Sequence, residues 1–239
     1  MGIIFANEKT IQKMRELAVF EGNICFEVPL NGDVDSKLAD HTDLSIFVSD
    51  AIYVAPSIYM PFLNHWNALL EIPNFEVVCG TKHLKNDYPH DIAYNAVQMK
   101  HHFFHKLAHT EPKILEAIKG NRINVKQGYT RCSTLMLTNE AVITEDIALA
   151  QIYRNYGYDV LTIEKGYVTL PGYKYGFFGG TGGVVDNLLV LNGSLKHHPD
   201  CDTIKGFVNR YDMHIIELHD GPLLDCGSIL FLNTQNKGG

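Results

Sequence analysis

Met213-His-Ile-Ile-Glu-Leu-His-Asp-Gly221 is a short apolar strand that ends in glycine, and it is the last of five such segments. The others are Asn23-Ile-Cys-Phe-Glu-Val-Pro-Leu-Asn-Gly32, Phe75-Glu-Val-Val-Cys-Gly80, Arg122-Ile-Asn-Val-Lys-Gln-Gly128 and Tyr158-Asp-Val-Leu-Thr-Ile-Glu-Lys-Gly166. Their closing glycines lie 48, 48, 38 and 55 residues apart. From Gly221 there are 18 residues to the end of the chain and 32 from its start to Gly32, so the fifth interval is 50. A period of this size marks stacked or radial units, each too small to bury its own apolar face. Because the last interval is completed only by joining the chain ends, the pattern predicts a closed ring.

Each unit reads strand, turn, strand, helix, strand. In the first, Leu44–Val48 and Ala51–Val54 flank a polar turn at Ser49 and Asp50, and Pro61 suits a first helical turn. The second helix is expected to have Thr110 as N-cap, Pro112 near its start and Gly120 past its end, with Ile114, Leu115 and Ile118 on one face. Thr144 precedes the third helix and Gly157 closes it, while Ile204, Phe207, Val208 and Tyr211 make the apolar face of the fourth. The fifth unit is split: Ser228–Leu232 is its first strand and Ile3–Phe5 its second. Its helix runs Thr10 to Phe20, with Ile11, Met14 and Leu17 inward and Gly22 at its end. Pairing of the two terminal strands would leave no free sheet edge. The expected fold is therefore α/β, a five-bladed α/β propeller of five ββαβ units closed by its N- and C-terminal strands. It forms one domain with units at roughly 33–80, 81–128, 129–166, 167–221, and 222–239 joined with 1–32.

Composition agrees. At 239 residues and 46% hydrophobic, the chain can bury a substantial core. No apolar run approaches the ~20 residues of a membrane span, and the N-terminus lacks the features of a signal peptide. A net charge of −7 argues against a general nucleic-acid or anionic-membrane surface. The 5 cysteines are odd in number and scattered, as expected for reduced cytoplasmic thiols. The tail from Asn233 to Gly239 reads as loose.

In a ring of units, the loops between each closing glycine and the next strand recur at equivalent places, and they are expected to converge on the axis around a small-molecule ligand. The first loop carries His41 and Asp43, the second His90 and Asp91, and the third Arg131 and Cys132. The fourth is Gly179-Gly-Thr-Gly-Gly183, and the fifth carries Asp225 and Cys226. The glycine-rich loop has no following Lys-Ser/Thr and leads into a strand, so close backbone packing explains it better than phosphate binding. His101, His102, His105 and His109 fall on a strand, where helical metal spacing loses its meaning. Neither a metal nor another cofactor is expected.

Asp220-Gly-Pro-Leu-Leu-Asp-Cys-Gly-Ser-Ile-Leu-Phe231 resembles the C-terminal segment in which dimethylarginine dimethylaminohydrolases carry their nucleophilic cysteine. With the fivefold ring, the whole chain resembles the pentein, or guanidino-group-modifying-enzyme, superfamily. It is most similar to uncharacterised bacterial proteins of that fold, and the superfamily also has non-catalytic members. The resemblance implies that Cys226 is the nucleophile. In the catalytic members the histidine generally comes from the unit before that of the cysteine, and here that loop is Gly179–Gly183.

Attack on a guanidinium needs carboxylates to grip its N–H fork, a thiolate, and a histidine to protonate the departing amine and activate water. Asp43, Asp91 and Asp225 are candidates for the grip, Cys226 for the nucleophile, and His41 or His90 for the acid–base group. Arg131 would instead favour a carboxylate or phosphate on the ligand. Each residue also has a structural reading: buried cysteine, acids bonded to nearby backbone, loop histidine, internal ion pair. The leading expectation is a cysteine-dependent hydrolase of a guanidino or amidino small molecule, acting through a covalent thiol adduct. The alternative is a non-catalytic ring that binds a small ligand or a protein partner. The sequence sets no oligomeric state.

Overall fold

A computed structural model describes residues 2–68 and 75–234; Gln235 to Gly239 of the expected loose tail lie outside the described residues. The chain runs β1 (Gly2–Ala6), α1 (Glu8–Arg15), β2 (Ile24–Glu27), α2 (Thr42–Ser45), β3 (Ile46–Val48), β4 (Ile52–Val54), α3 (Pro56–Ala68) and β5 (Val77–Cys79). It continues through β6 (Val97–Met99), β7 (His102–His105), α4 (Pro112–Ala117), β8 (Asn121–Asn124), β9 (Leu135–Met136), β10 (Ala141–Thr144), α5 (Ile147–Asn155) and β11 (Asp159–Thr162). Last come β12 (Gly182–Val185), β13 (Leu188–Leu191), α6 (Cys201–Asn209), β14 (His214–Glu217) and β15 (Leu230–Asn233).

These strands form five three-stranded sheets: β3-β4-β5, β6-β7-β8, β9-β10-β11, β12-β13-β14 and β15-β1-β2. In every sheet the first strand pairs antiparallel with the second, and the second pairs parallel with the third. A parallel neighbour needs a crossover, and in each sheet one helix supplies it. The terminal strands pair directly, Gly2 opposite Asn233 and Phe5 opposite Leu230. Neighbouring sheets meet through their first strands: β12 packs beside both β9 and β15, and β15 beside β3.

Second strands are the buried ones. Every residue of β1, β4 and β10 is buried, whereas the third strands are half-exposed or exposed apart from Phe26 of β2. A middle strand has a partner on each side and a helix on one face, which explains its continuous apolar composition. The helices dock by the stripes read from sequence: Ile11 and Met14 of α1, and Ile204 and Val208 of α6, are fully buried. Each such side chain contributes about 1.5–3 kcal/mol. Phe5, Phe26, Phe62 and Trp66 form one aromatic group, with Phe26 and Phe62 centroids 4.5 Å apart.

Several elements differ from expectation. The strands are shorter than the apolar segments that contain them, because flanking residues turn into loops. Leu44 and Ser45 belong to the helical turn α2 and not to β3. Pro61 lies inside α3, whose first turn begins at Pro56. The second and third helix caps are Glu111 and Asp146, not Thr110 and Thr144. The threonines are engaged elsewhere: Thr110 Oγ1 pairs with His105 Nδ1 at 2.7 Å, and Thr144 Oγ1 donates to the Ser133 carbonyl at 2.6 Å. Glu111 is fully buried and also accepts from Thr81 N (3.0 Å), Lys82 N (2.8 Å) and the Tyr94 hydroxyl (3.3 Å). One carboxylate thus ties the start of α4 to the loop after β5. Among the described residues, no helix is long and apolar enough to cross a membrane.

Candidate functional site

Just ahead of the first strands, loops from all five units come together. His41 holds the N-cap position of α2, which places Asp43 immediately ahead of β3. Asp43 is 1% exposed, and its Oδ2 accepts the Ser228 hydroxyl (2.6 Å) and the Cys132 thiol (3.0 Å). Its Oδ1 is buried without a hydrogen-bond partner. The fifth unit also holds Asp43 through its backbone, since Asp43 N donates to the Gly227 carbonyl at 3.0 Å.

Asn95, fully buried ahead of β6, is the organiser. Its Nδ2 donates to the Asp43 carbonyl (3.2 Å) and to Cys132 Sγ (3.1 Å), while its Oδ1 accepts from Arg131 N (2.9 Å) and Cys132 N (3.2 Å). One side chain therefore fixes the first unit's loop against the third's. Arg131 is buried and donates from Nη1 to the Thr134 carbonyl at 2.7 Å. Burial lowers its pKa, and the Asp43 carboxylate opposes that shift.

The fourth loop packs its glycines too closely for side chains at those positions. A Cβ on Gly179 would fall 2.5 Å from the Cys132 carbonyl oxygen, and one on Gly180 only 2.0 Å from Asp225 Oδ1. Gly180 N donates to Cys132 O (2.8 Å), and Gly180 O accepts from Cys226 N (2.9 Å) and Ser228 N (3.0 Å). Asp225 Oδ2 accepts from Phe177 N (2.9 Å) and Oδ1 from Gly227 N (3.1 Å). Burial pushes the Asp225 carboxyl up in pKa, against the pull of nearby His41. His41 Nδ1 lies 3.8 Å from Asp225 Oδ1, close enough for electrostatic contact but too long for a hydrogen bond.

Of the residues singled out in the sequence, His41, Asp43, Arg131, Cys132, Asp225 and Cys226 fall in this region. Cys226 turns its thiol aside: Sγ donates to the Gly180 carbonyl at 3.3 Å, with Thr10 of α1 and Asn192 as further polar neighbours. Burial, reinforced by the Asp225 charge, pushes this thiol up to about 12. The Cys132 thiol is also raised well above its ordinary value, by burial first and the Asp43 carboxylate second.

His90 and Asp91 stand apart. His90 is half-exposed and pairs with Asp87 at 3.0 Å. Asp91 accepts the Tyr129 hydroxyl at 2.5 Å, and burial raises its pKa. Among the described residues, no hydrogen bond or ion pair joins either of them to Asp43. Asn95 and Ser228 were missed in the sequence. The usable signal was distance back from the next strand, since Asn95 precedes β6 as Ser228 precedes β15.

A pocket of about 140 Å³ opens beside the cluster, lined by Asp43 and Arg131 and by side chains of β3, β6, β9 and β15. Its walls mix apolar side chains, including Ile46, Val48, Met136 and Leu230, with the polar groups of Asp43, Gln98 and Arg131. An engineered cavity of ~150 Å³ holds benzene, so this space admits a ligand of similar bulk.

Five sheets of this construction, each with the same helix crossover, have counterparts among solved structures. Agmatine deiminase from C. jejuni aligns with a TM-score of 0.56 and 9% identity over 96% of this chain and 92% of that one. Dimethylarginine dimethylaminohydrolase from Pseudomonas aeruginosa aligns at 0.52 and 11% over 90% of this chain and 91% of that one. The amidinotransferase SxtG from Microseira wollei aligns at 0.52 and 9% over 97% of this chain and 80% of that one. At these identities the likeness is one of fold. The protein has the α/β pentein fold of the guanidino-group-modifying enzymes.

Its family is narrower. The model described as "Family of unknown function (DUF6873)" matches residues 6–230, and the chain belongs to that family. No curated protein matches the sequence.

Proposed function

We propose that this protein is a pentein-fold ring, a single domain of five propeller-like units, whose axial pocket binds a compact polar small molecule. The observation that carries this reading is the pairing of opposite charges at one pocket. Asp43, with a buried Oδ1 free of any hydrogen-bond partner, and the buried Arg131 both line it. A buried carboxylate oxygen without a partner is unfavourable by itself, by about 1–3 kcal/mol, and a ligand donor would relieve it. Arg131 suits an anionic group on the same molecule, as in a small guanidino or amino carboxylate.

Cysteine-dependent hydrolysis of such a compound is the second reading. It is favoured by His41 lying against the Asp225 carboxylate and within 4.8 Å of the Cys132 sulfur, and by relatives in fold that act on dimethylarginine and agmatine. Neither thiol is poised as a thiolate, and an added Cβ at Gly179 or Gly180 in the loop before β12 would clash, so neither position admits a histidine. Binding without turnover therefore ranks first.

The test is calorimetric titration of chelator-treated protein with small guanidino and amino carboxylates, while release of ammonia, amine or urea is assayed in parallel. Saturable binding without product is expected, and Arg131→Lys, which keeps the charge but loses the planar fork, should weaken it about tenfold. Turnover would favour the second reading, and no binding by any compound would refute the first.

A further inference from the structure

His41, Asp43 and Cys132 present an imidazole nitrogen, a carboxylate oxygen and a sulfur that all lie within 4.8 Å of one another. The residues are 3%, 1% and 2% exposed. They come from two different units, since His41 and Asp43 precede β3 and Cys132 precedes β9. We infer that this trio is a site for a zinc-like divalent transition-metal ion. The inference deepens the pocket-binding reading by naming what the Asp43 corner offers a ligand.

The donor set is informative. A thiolate and an imidazole together select borderline ions such as zinc over magnesium or calcium, which take oxygen. Three protein ligands leave one tetrahedral position open, the arrangement of zinc sites that hold water or a ligand and not of closed structural ones. Asp43 lines the pocket, so the open position has somewhere to face. One thiolate and one carboxylate around a divalent ion make a neutral centre, which suits a buried place. Binding is balanced by release of the Cys132 proton: the S–H bond breaks, the metal–sulfur bond forms, and H⁺ leaves to solvent.

Three features point to a ligand beyond the ligand atoms' proximity. Asp43 Oδ1 is buried with no hydrogen-bond partner, while Oδ2 is engaged by the Ser228 hydroxyl, which would remain to orient the carboxylate. Behind His41 stands Asp225, whose Oδ1 lies 3.8 Å from Nδ1, near enough to support a metal-bound imidazole electrostatically though beyond hydrogen-bond reach. Asn95 Nδ2 donates to Cys132 Sγ at 3.1 Å, as amides do to coordinated thiolates. Arg131 brings an opposing charge, and its Nη1 is directed to the Thr134 carbonyl.

The test uses full-length, chelator-treated protein with metal alone, so it is separate from the organic-ligand titration. Zinc chloride is titrated in competition with a chromophoric chelator, and cobalt chloride is followed by absorption. The expected result is one zinc per chain, a thiolate-to-cobalt charge-transfer band, and affinity lowered about tenfold or more by Cys132→Ser and by Asp43→Asn, but unchanged by Cys201→Ser. Should either ligand variant fail to fold, the cobalt spectrum of the wild-type protein decides. Cobalt bound without the charge-transfer band would overturn the site, as would no metal bound at all, or zinc affinity unchanged in folded Cys132→Ser and Asp43→Asn. Failure here, with carboxylate binding intact in metal-free protein, would remove the metal and keep the pocket.

Discussion

Cys132 and Cys226 occupy corresponding places, each a buried cysteine in the loop just ahead of the first strand of its sheet, yet they do different things. The Cys132 thiol donates a hydrogen bond to a carboxylate that lines the pocket. The Cys226 thiol donates one to a backbone carbonyl, with Thr10 of α1 beside it. The fifth unit is represented at the cluster by Ser228 instead. Sequence position relative to a strand therefore brings a residue to the region, while the loop's local path decides which way its side chain turns.

Gly180 joins the two regions, donating to the Cys132 carbonyl and accepting from Cys226 N and Sγ. It offers the strongest way to break the comparison. Gly180→Ala would drive a Cβ to 2.0 Å from Asp225 Oδ1, and the expected loss is about 3 kcal/mol in urea unfolding, at the upper end for overpacking. A loss below ~0.5 kcal/mol, the range of an ordinary surface change, would show that the two loops are not packed as described.

Asp43→Ala comes next. It leaves the Cys132 thiol without its acceptor and the Ser228 hydroxyl with only the Gly179 carbonyl, and the expected destabilisation is about 2–3 kcal/mol. Cys226→Ala removes one weak thiol donor and should cost about 1 kcal/mol. Equal effects for the two variants would erase the distinction between the cysteines.

A smaller effect is expected in the pH dependence at the junction of the third and fourth units. Glu145 Oε2 accepts from Phe178 N at 3.2 Å, and burial pushes the carboxyl up to about 8 from 4.5. A raised carboxyl stabilises the fold when protonated, so that contribution is complete below about 4.5 and lost as the pH rises to about 8. Glu145→Gln should flatten the decline in unfolding free energy between pH 5 and pH 8. His105 acts at the other end. Burial pushes it down to about 3 from 6.5, so its neutral form stabilises the fold above the unfolded value, and that stability is lost as the pH falls toward about 3. Unfolding free energy that rose steadily from pH 5 to pH 8 in the wild type would contradict the Glu145 assignment.

Much of the architecture was legible because glycine-closed apolar strands are a covalent feature of the chain. The period located all five third strands, and the buried stripes of α1 and α6 followed from helical spacing. Helix caps were less legible. Thr110 and Thr144 look like caps, but their hydroxyls are taken by His105 and the Ser133 carbonyl, contacts that sequence spacing does not reveal. The site was partly legible for a related reason. His41, Asp43, Arg131 and Asp225 lie close before first strands, whereas His90 and Asp91 were placed just before a strand expected at Ile92, and β6 begins only at Val97. The loop to β6 is long, so those two stop short of the cluster, and Asn95 takes the place. The direction of the Cys226 thiol depends on α1, which belongs to the opposite end of the sequence.

The most direct test of the central contrast is peptide mapping after incubation with chloroacetamidine, a guanidine-like alkylator of thiolates. Burial and the Asp225 charge push the Cys226 thiol up to about 12, so it stays protonated at pH 7. The expected result is no fast labelling at Cys226, and none that a guanidino compound blocks. Rapid, saturable modification of Cys226 alone, protected by a guanidino carboxylate, would contradict it and make this ring a cysteine-dependent enzyme.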